Sequence, residues 1–122
     1  MDHVFRKDVP IYTQLIEKMI DDIVSGELAP GDKIDSVREM AQKVGVNPNT
    51  VQRALSDLEN KGLVITNRTS GRVVTEDADL IRSIREEMLE SKTRTFVESM
   101  SKLSVCDEDI IDLVNKVIGE MK

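Results

Sequence analysis

One side of the segment 47–62 carries a row of side chains that make directional hydrogen bonds. At about 100° per residue, the side chains that gather there are Asn49, Gln52, Arg53 and Ser56. Amide, hydroxyl and guanidinium groups match the donors and acceptors that base edges present in a DNA major groove, whereas a helix that only faces solvent more often carries Glu and Lys. The row therefore predicts a helix that reads DNA.

The row belongs to the second of two short amphipathic segments that flank the turn 44–46. The two apolar faces consist of Val37, Met40, Ala41 and Val44 in the first segment and of Val51, Ala54, Leu55 and Leu58 in the second. These faces must pack together, which leaves the polar row outside and predicts a helix-turn-helix. Helix pairs joined by a Gly-containing turn also occur in other small α-domains, so the pair alone does not decide the function.

Capping residues define the ends of both segments. Ser36 and Glu39 have the spacing of a capping box, and Asn47 followed by Pro48 supplies an N-cap and a first helical residue. Gly62 is expected to end the second helix. The sequence therefore predicts helix starts at residues 37 and 48.

Further elements surround this pair. A helix is predicted over residues 10–25, with an apolar face that we expect in the core: Ile11, Tyr12, Leu15, Ile16, Met19 and Ile23. After Gly62, residues 63–66 and 72–75 are rich in β-branched side chains and strand-like, and residues 67–71 are turn-like. This pattern predicts a β-hairpin with Arg68 and Arg72 around its tip. A solvated hairpin with incidental arginines is the alternative to a DNA contact.

From Pro10 to Thr75 the chain resembles the winged-helix DNA-binding domain of the GntR family of bacterial transcription regulators. The matching signatures are PIYTQLIEKMIDDIVSGELAPGDKIDSVREMAQKVGVNPNTVQRALSDLENKGLV and SGRVVTED. The short form NPNTVQRA and the small C-terminal remainder are similar to the YtrA-type branch in particular. The resemblance implies a winged helix over residues 1–76.

The resemblance also implies where DNA contacts lie. The family has an Arg at the position of Arg38, which makes Arg38 the first candidate for a phosphate or guanine contact, and its wing reaches the DNA backbone or minor groove. The places of Pro48 and Gln52 often carry Arg in relatives, so less reading of guanine is expected here. The predicted DNA-binding set is Ser36, Arg38, Asn47, Asn49, Thr50, Gln52, Arg53, Arg68, Thr69, Gly71 and Arg72.

The charge distribution agrees with a DNA contact in the middle of the chain. The 122 residues carry a net charge of −6, but residues 33–72 hold seven basic and four acidic side chains. Residues 1–32 hold three basic and seven acidic side chains, and residues 73–122 hold seven and twelve. Local charge matters most for contacts with phosphates, so the acidic remainder should repel DNA and help to orient the basic region.

Residues 77–122 are predicted to form a helical dimerisation domain. Asp77 and Asp79 favour a helix start, and an apolar stripe follows to Leu103. Residues 91–95 interrupt the stripe, which either a kink or a neighbour that fits small side chains would explain. A second short helix over residues 109–121 cannot be covered by the first alone. We expect a twofold homodimer that buries Ile81, Ile84, Met88, Phe96, Met100, Ile110, Ile111, Val114, Val117 and Ile118.

Other kinds of site have weak support. His3 lacks a second metal ligand, and the consecutive acids Asp107, Glu108 and Asp109 with Asp112 suit a helix start better than a metal. Cys106 cannot form an internal disulfide and is expected to be an inert thiol and not a redox sensor. No nucleophile–base pair or phosphate loop is visible, so neither an enzyme nor a cofactor is predicted.

The sequence thus predicts a mainly α protein with a small β-hairpin: a winged helix-turn-helix followed by a two-helix dimerisation hairpin. The expected function is a cytoplasmic, sequence-specific transcription regulator, specifically a repressor, that binds double-stranded DNA at an inverted repeat as a homodimer. A small-molecule effector remains open, and with no apolar run of about 18 residues a membrane partner is not expected. The alternative is a winged-helix adaptor that binds proteins without specific DNA binding.

Overall fold

The computed structural model of the chain describes residues 5–122, and that range contains five helices and one antiparallel two-stranded sheet. The elements are α1 (Ile11–Ser25), α2 (Val37–Val44), α3 (Pro48–Asn60), β1 (Val64–Asn67), β2 (Gly71–Val74), α4 (Ala78–Ser101) and α5 (Asp107–Glu120). This order confirms the predicted winged helix-turn-helix followed by two helices. His3 lies outside the described residues.

The helix ends follow from local hydrogen bonding. The Ser36 hydroxyl accepts a bond from the Glu39 backbone N–H, and the Glu39 carboxylate accepts one from the Ser36 backbone N–H, which confirms the capping box. Asn47 caps α3, and Gly26 ends α1 with φ of 89°, a left-handed conformation that glycine adopts without strain. The last helical residue of α3 is Asn60, and Lys61 is its C-cap. Gly62 follows with φ of 80°, and its N–H donates to the Glu59 carbonyl while the Leu63 N–H donates to the Leu58 carbonyl, which confirms that Gly62 terminates the helix.

The core of the winged-helix region joins α1, α2 and α3 to the wing. Its buried residues are Leu15, Ile16, Met19, Ile23, Ile34, Met40, Ala41, Val51, Ala54, Leu55, Leu58, Leu63, Val64 and Val74. Ile11 was predicted to join them but is 43% exposed. Its position on the helical wheel is about a quarter turn from the centre of the buried stripe of α1, which explains the exposure.

A buried amide ties the start of α1 to the segment that precedes it. The Gln14 side chain is 4% exposed, and its Oε1 accepts a hydrogen bond of 2.6 Å from the Arg6 backbone N–H. Its Nε2 donates to the carbonyl oxygens of Arg6 at 2.7 Å and Val9 at 2.8 Å. A buried polar side chain is thereby satisfied, as burial requires.

The wing is anchored to the chain that precedes α2. Strands β1 and β2 pair from Val64 opposite Val74 to Asn67 opposite Gly71. On its other edge, β2 forms a bridge with Lys33, where the Ile34 N–H donates to Arg72 O and the Val74 N–H donates to Asp32 O, each at 2.9 Å. This third backbone segment, which sequence patterns did not predict, pairs the second edge of β2.

The chain divides into two compact units, with the second covering Arg85–Lys122. The boundary differs from the one predicted after residue 76, because Leu80, Ile81 and Ile84 in the first turns of α4 pack against the winged-helix core. Ile81 and Ile84, which were predicted to lie on the dimerisation surface, are half-buried against the core of the first unit.

The second unit, all of which is described, buries only Ile110. Its helix α4 runs unbroken through residues 91–95, where the Thr93 hydroxyl donates to the Leu89 carbonyl at 2.7 Å, so the small polar side chains there do not interrupt the helix. Helix α5 begins at Asp107, two residues before the predicted start. The large exposed apolar side chains of the unit are Leu89, Phe96, Val97, Leu103, Ile111, Leu113, Val117, Ile118 and Met121.

Within residues 5–122, the helices include none that combines the length and apolar character required to span a membrane.

Candidate nucleic-acid interface

Helix α3 presents the predicted polar row to solvent. Asn49, Gln52 and Arg53 are exposed, whereas Thr50 and Ser56 are half-buried at the edges of the row. The Gln52 Nε2 donates to the Ser56 hydroxyl at 3.2 Å, which restrains the Gln52 amide without covering its carbonyl oxygen. The amide and guanidinium groups of this helix are therefore available to a ligand outside the domain.

Arg53 has an aromatic neighbour that sequence patterns did not reveal. Its guanidinium carbon lies over the ring of Tyr12 in α1, 3.7 Å from the ring centroid. This distance is well within the range of a cation–π contact. Tyr12 was predicted to be a core residue and is half-buried against the core, but its ring face also contacts a candidate DNA-binding side chain.

The cap residues Ser36 and Asn47 use their side chains inside the domain. The Ser36 hydroxyl is committed to the capping box, and Asn47 Oδ1 accepts from the Asn49 backbone N–H at 2.8 Å. Both side chains remain exposed, so a further contact is sterically open. In the structure, these two side chains stabilise the first turns of α2 and α3.

Arg38 and Asp35 lie near the start of α2. Arg38 is exposed and forms no ion pair within the described range 5–122. Asp35 accepts a hydrogen bond of 2.8 Å from Lys43 Nζ, and this bond and the attraction between the two charges raise the pKa of the Lys43 ammonium. The negative charge of Asp35 is thus locally balanced.

The wing tip is a short turn stabilised by its own side chains. Asn67 Oδ1 accepts from both the backbone N–H and the hydroxyl of Thr69, each at 3.0 Å, and Gly71 has φ of 77°. Arg68 is exposed at this tip and has no ion-pair partner among the residues that the structure describes.

Arg72 was predicted to lie around the tip of the wing. It lies on β2, opposite Thr66. Its Nε donates to the carboxylate of Glu59 on α3, and both side chains are partly buried. The reason is the register of the hairpin, which turns the Arg72 side chain toward α3. Arg72 therefore links the wing to α3, and its charge is already paired.

The exposed groups together favour binding of a polyanion with directional base contacts. Among residues 5–122, Arg38 on α2, Arg53 on α3 and Arg68 on the wing have no ion-pair partner, and α3 also presents the neutral amides of Asn49 and Gln52. The residues that the structure describes contain no cluster of His, Cys, Asp or Glu suited to a metal ion. Cys106 is a free, exposed thiol at the N-cap of α5, and Asp107, Glu108 and Asp109 form the first turn of that helix.

Comparison with known proteins agrees with this geometry. Residues 11–74, just over half of the chain, match the model of the bacterial regulatory proteins of the gntR family. The uncharacterized HTH-type transcriptional regulator YhcF of Bacillus subtilis is 37% identical over 112 residues, which cover 92% of this chain and 93% of that protein. The HTH-type transcriptional repressor YtrA of the same organism is 35% identical over 100 residues, or 82% of this chain and 72% of that protein.

Solved structures show the same fold. A GntR family transcriptional regulator from Listeria monocytogenes is 39% identical, with a TM-score of 0.85 over 92% of this chain and 98% of that one. The DNA-binding domain of AraR, solved in complex with operator ORX1, is 28% identical, with a TM-score of 0.52 over 62% of this chain and 92% of that one. The chain therefore belongs to the GntR family of bacterial regulatory proteins and is a DNA-binding transcriptional regulator, not an enzyme.

Proposed function

We propose that this protein is a repressor that binds an inverted-repeat operator as a homodimer in the bacterial cytoplasm. The observation that carries the proposal is the exposed row of Asn49, Gln52 and Arg53 on α3. A recognition helix of this kind enters the major groove, where amide side chains can form paired hydrogen bonds with adenine.

Individual residues take different roles in this proposal. Asn49 and Gln52 contact base edges, and Thr50 and Arg53 contact the groove wall. Arg38 on α2 and Arg68 on the wing bind phosphates, because both are exposed and carry unpaired charge in the described structure. Ser36 and Asn47 fix helix starts and can offer only secondary contacts, and Thr69 and Gly71 shape the wing tip.

The homodimer is supported by the second unit. The exposed apolar side chains Phe96, Ile111, Val117 and Ile118, together with the half-buried Met88, Met100 and Val114, form a surface that one chain leaves uncovered. Apolar patches of this kind mark association surfaces in folded proteins. Twofold pairing would place two copies of α3 on one DNA duplex, which is the arrangement that an inverted repeat matches.

Repression is supported by the relatives. YtrA, with 35% identity over 82% of this chain, is named a transcriptional repressor, and the AraR domain was solved on operator DNA. A regulator that covers its operator can block transcription by occupancy alone. Release by a small-molecule effector is compatible with this scheme, and the chemistry of such a ligand is open.

Selection from a random duplex pool at about 0.15 M salt tests the proposal, because this salt concentration suppresses loose charge binding. We expect an enriched inverted repeat. A pool that stays unenriched would contradict specific DNA binding and favour the protein-binding adaptor.

Two substitutions then test the assigned contacts. Arg38→Ala should weaken binding to the selected duplex about tenfold in a gel-shift titration, because one charged hydrogen-bonded contact is lost. Gln52→Ala should change the selected consensus at one position in each half-site. Unchanged affinity for the first variant, or an unaltered consensus for the second, would reject that residue's role.

A further inference from the structure

We propose that Tyr12 is a positioning residue that holds Arg53 ready to bind a backbone phosphate of the operator. This inference rests on the proposed function and adds a residue of α1 to the DNA-binding apparatus. The contact of 3.7 Å between the Arg53 guanidinium carbon and the Tyr12 ring centroid carries it.

The ring is a fixed platform, whereas the arginine is mobile by nature. Tyr12 lies in the first turn of α1 and is half-buried against the core of the winged-helix region. Arg53 is exposed on α3, where a free arginine side chain would populate many rotamers. Stacking on the ring reduces that freedom before DNA arrives, so less conformational entropy is lost on binding.

The ring holds Arg53 without neutralising it. Three other arginines of the described chain are paired with carboxylates: Arg72 with Glu59, Arg82 with Asp79 and Arg94 with Glu90. Within residues 5–122, Arg53 has no acidic partner and no side-chain hydrogen bond. A guanidinium over an aromatic face keeps its full charge, and its N–H groups stay free to form paired bonds with a phosphate.

The position of the guanidinium favours phosphate over a base edge. Tyr12 belongs to α1, so the Arg53 head group lies toward the flank of α3 that faces α1 and not straight out from the row. In a helix that enters the major groove, outward side chains meet bases and flanking side chains meet the sugar–phosphate walls. Asn49 and Gln52 are left to read bases.

The hypothesis predicts the behaviour of four variants. Tyr12→Leu removes the platform and should weaken binding about three- to tenfold, as expected for an exposed cation–π contact and its ordering effect. Tyr12→Phe keeps the ring and should bind like the wild type. Arg53→Gln removes the charge and should weaken binding further, and adding Tyr12→Leu to Arg53→Gln should have no additional effect.

The experiment measures dissociation constants by fluorescence anisotropy on the labelled duplex recovered from the selection, at several salt concentrations. Loss of one phosphate contact in each protomer should lower the slope of log affinity against log salt by roughly 0.9 per contact. Tyr12→Leu should lower this slope, and Tyr12→Phe should not. Thermal unfolding of each variant checks that the domain stays folded.

Several results would overturn the inference. If Tyr12→Leu weakens binding equally in the Arg53→Gln background, Tyr12 acts through the fold and not through Arg53. If Tyr12→Leu does not fold, Arg53→Lys decides, because lysine keeps the charge but loses the planar group that stacks and binds phosphate in pairs. If Arg53→Lys binds with wild-type affinity, the role of Tyr12 in positioning Arg53 is rejected.

Failure of the proposed function gives a different result. A wild-type protein that does not distinguish the selected duplex from a scrambled one rejects specific DNA binding itself. Specific wild-type binding with an unaffected Tyr12→Leu rejects only the role of Tyr12.

Discussion

The two units of this chain use the same local pattern, amphipathic helices, with different results. In the winged-helix unit, three helices and a hairpin bury fourteen apolar residues in one core. In Arg85–Lys122, one apolar residue is buried and nine large ones stay exposed. The difference indicates that a helical apolar stripe specifies a helix but not its partner: in the first unit the stripes cover one another, and in the second most of the large apolar side chains stay exposed.

The largest expected effect is in the first core. Leu55→Ala should lower the free energy of unfolding by about 2–5 kcal/mol, because it removes methyl groups from a fully buried site and leaves a cavity. Leu103→Ala is the matched control, since Leu103 is 71% exposed. Urea unfolding measures both. An equally large loss for Leu103→Ala would mean that another chain buries Leu103.

The next effect tests the exposed surface of the second unit. Ile111→Glu should raise the dissociation constant of the proposed dimer at least tenfold, because it places an unpaired charge on a surface that must lose water. Lys116→Glu, on the opposite side of α5, is the control. Sedimentation equilibrium measures both. A dimer equally stable in Ile111→Glu would exclude this surface from the interface.

The N-caps of α2 and α5 also differ between the two units, and a smaller change in stability is expected from substitutions there. Ser36→Ala should lower the free energy of unfolding by about 1 kcal/mol through loss of the capping bond, and Ser36→Asp should retain most of it. Cys106 occupies the N-cap of α5 without a side-chain capping bond, so Cys106→Ser should stabilise the second unit. Thermal unfolding of the Ser36 and Cys106 variants, monitored by circular dichroism, measures both effects. No loss for Ser36→Ala would contradict the capping role.

The smallest effect concerns a surface ion pair. The pKa of Lys43 is raised by Asp35, so this pair contributes to stability below the usual lysine pKa of about 10.5, and the contribution is lost as pH rises through the folded-state value. Asp35→Asn should lower the pKa of Lys43 and change stability at neutral pH very little, because both groups are exposed. Titration of the Lys43 side chain by NMR measures the shift. An unchanged pKa would mean that the pair does not persist in solution.

Features that depend on neighbours in sequence were predictable. The capping box at Ser36, the Asn47–Pro48 start of α3 and the hairpin after Gly62 all follow from residues within a few positions of one another. The exposed row of α3 was predictable for the same reason, because helical periodicity assigns its face.

Features that depend on distant residues were not predictable. The contact of Tyr12 with Arg53 joins two helices, and the pairing of Arg72 with Glu59 depends on hairpin register as well as on the packing of the wing against α3. The stripe that begins at Leu80 likewise gave no sign that Ile81 and Ile84 pack on the first core. Periodicity identifies an apolar face but carries no information on which surface covers it.

The Gln14 amide has a practical consequence for shortened or tagged versions of this protein. The Gln14 side chain pairs with the backbone as a neighbouring strand would. Its Oε1 accepts from the Arg6 N–H, and its Nε2 donates to the carbonyl oxygens of Arg6 and Val9. A version that begins at Pro10 would lose the three hydrogen bonds between this amide and the preceding segment, each of which contributes about 0.5–1.5 kcal/mol. An affinity tag or fluorophore should therefore be attached before Phe5, so that the segment from Arg6 to Val9 stays intact.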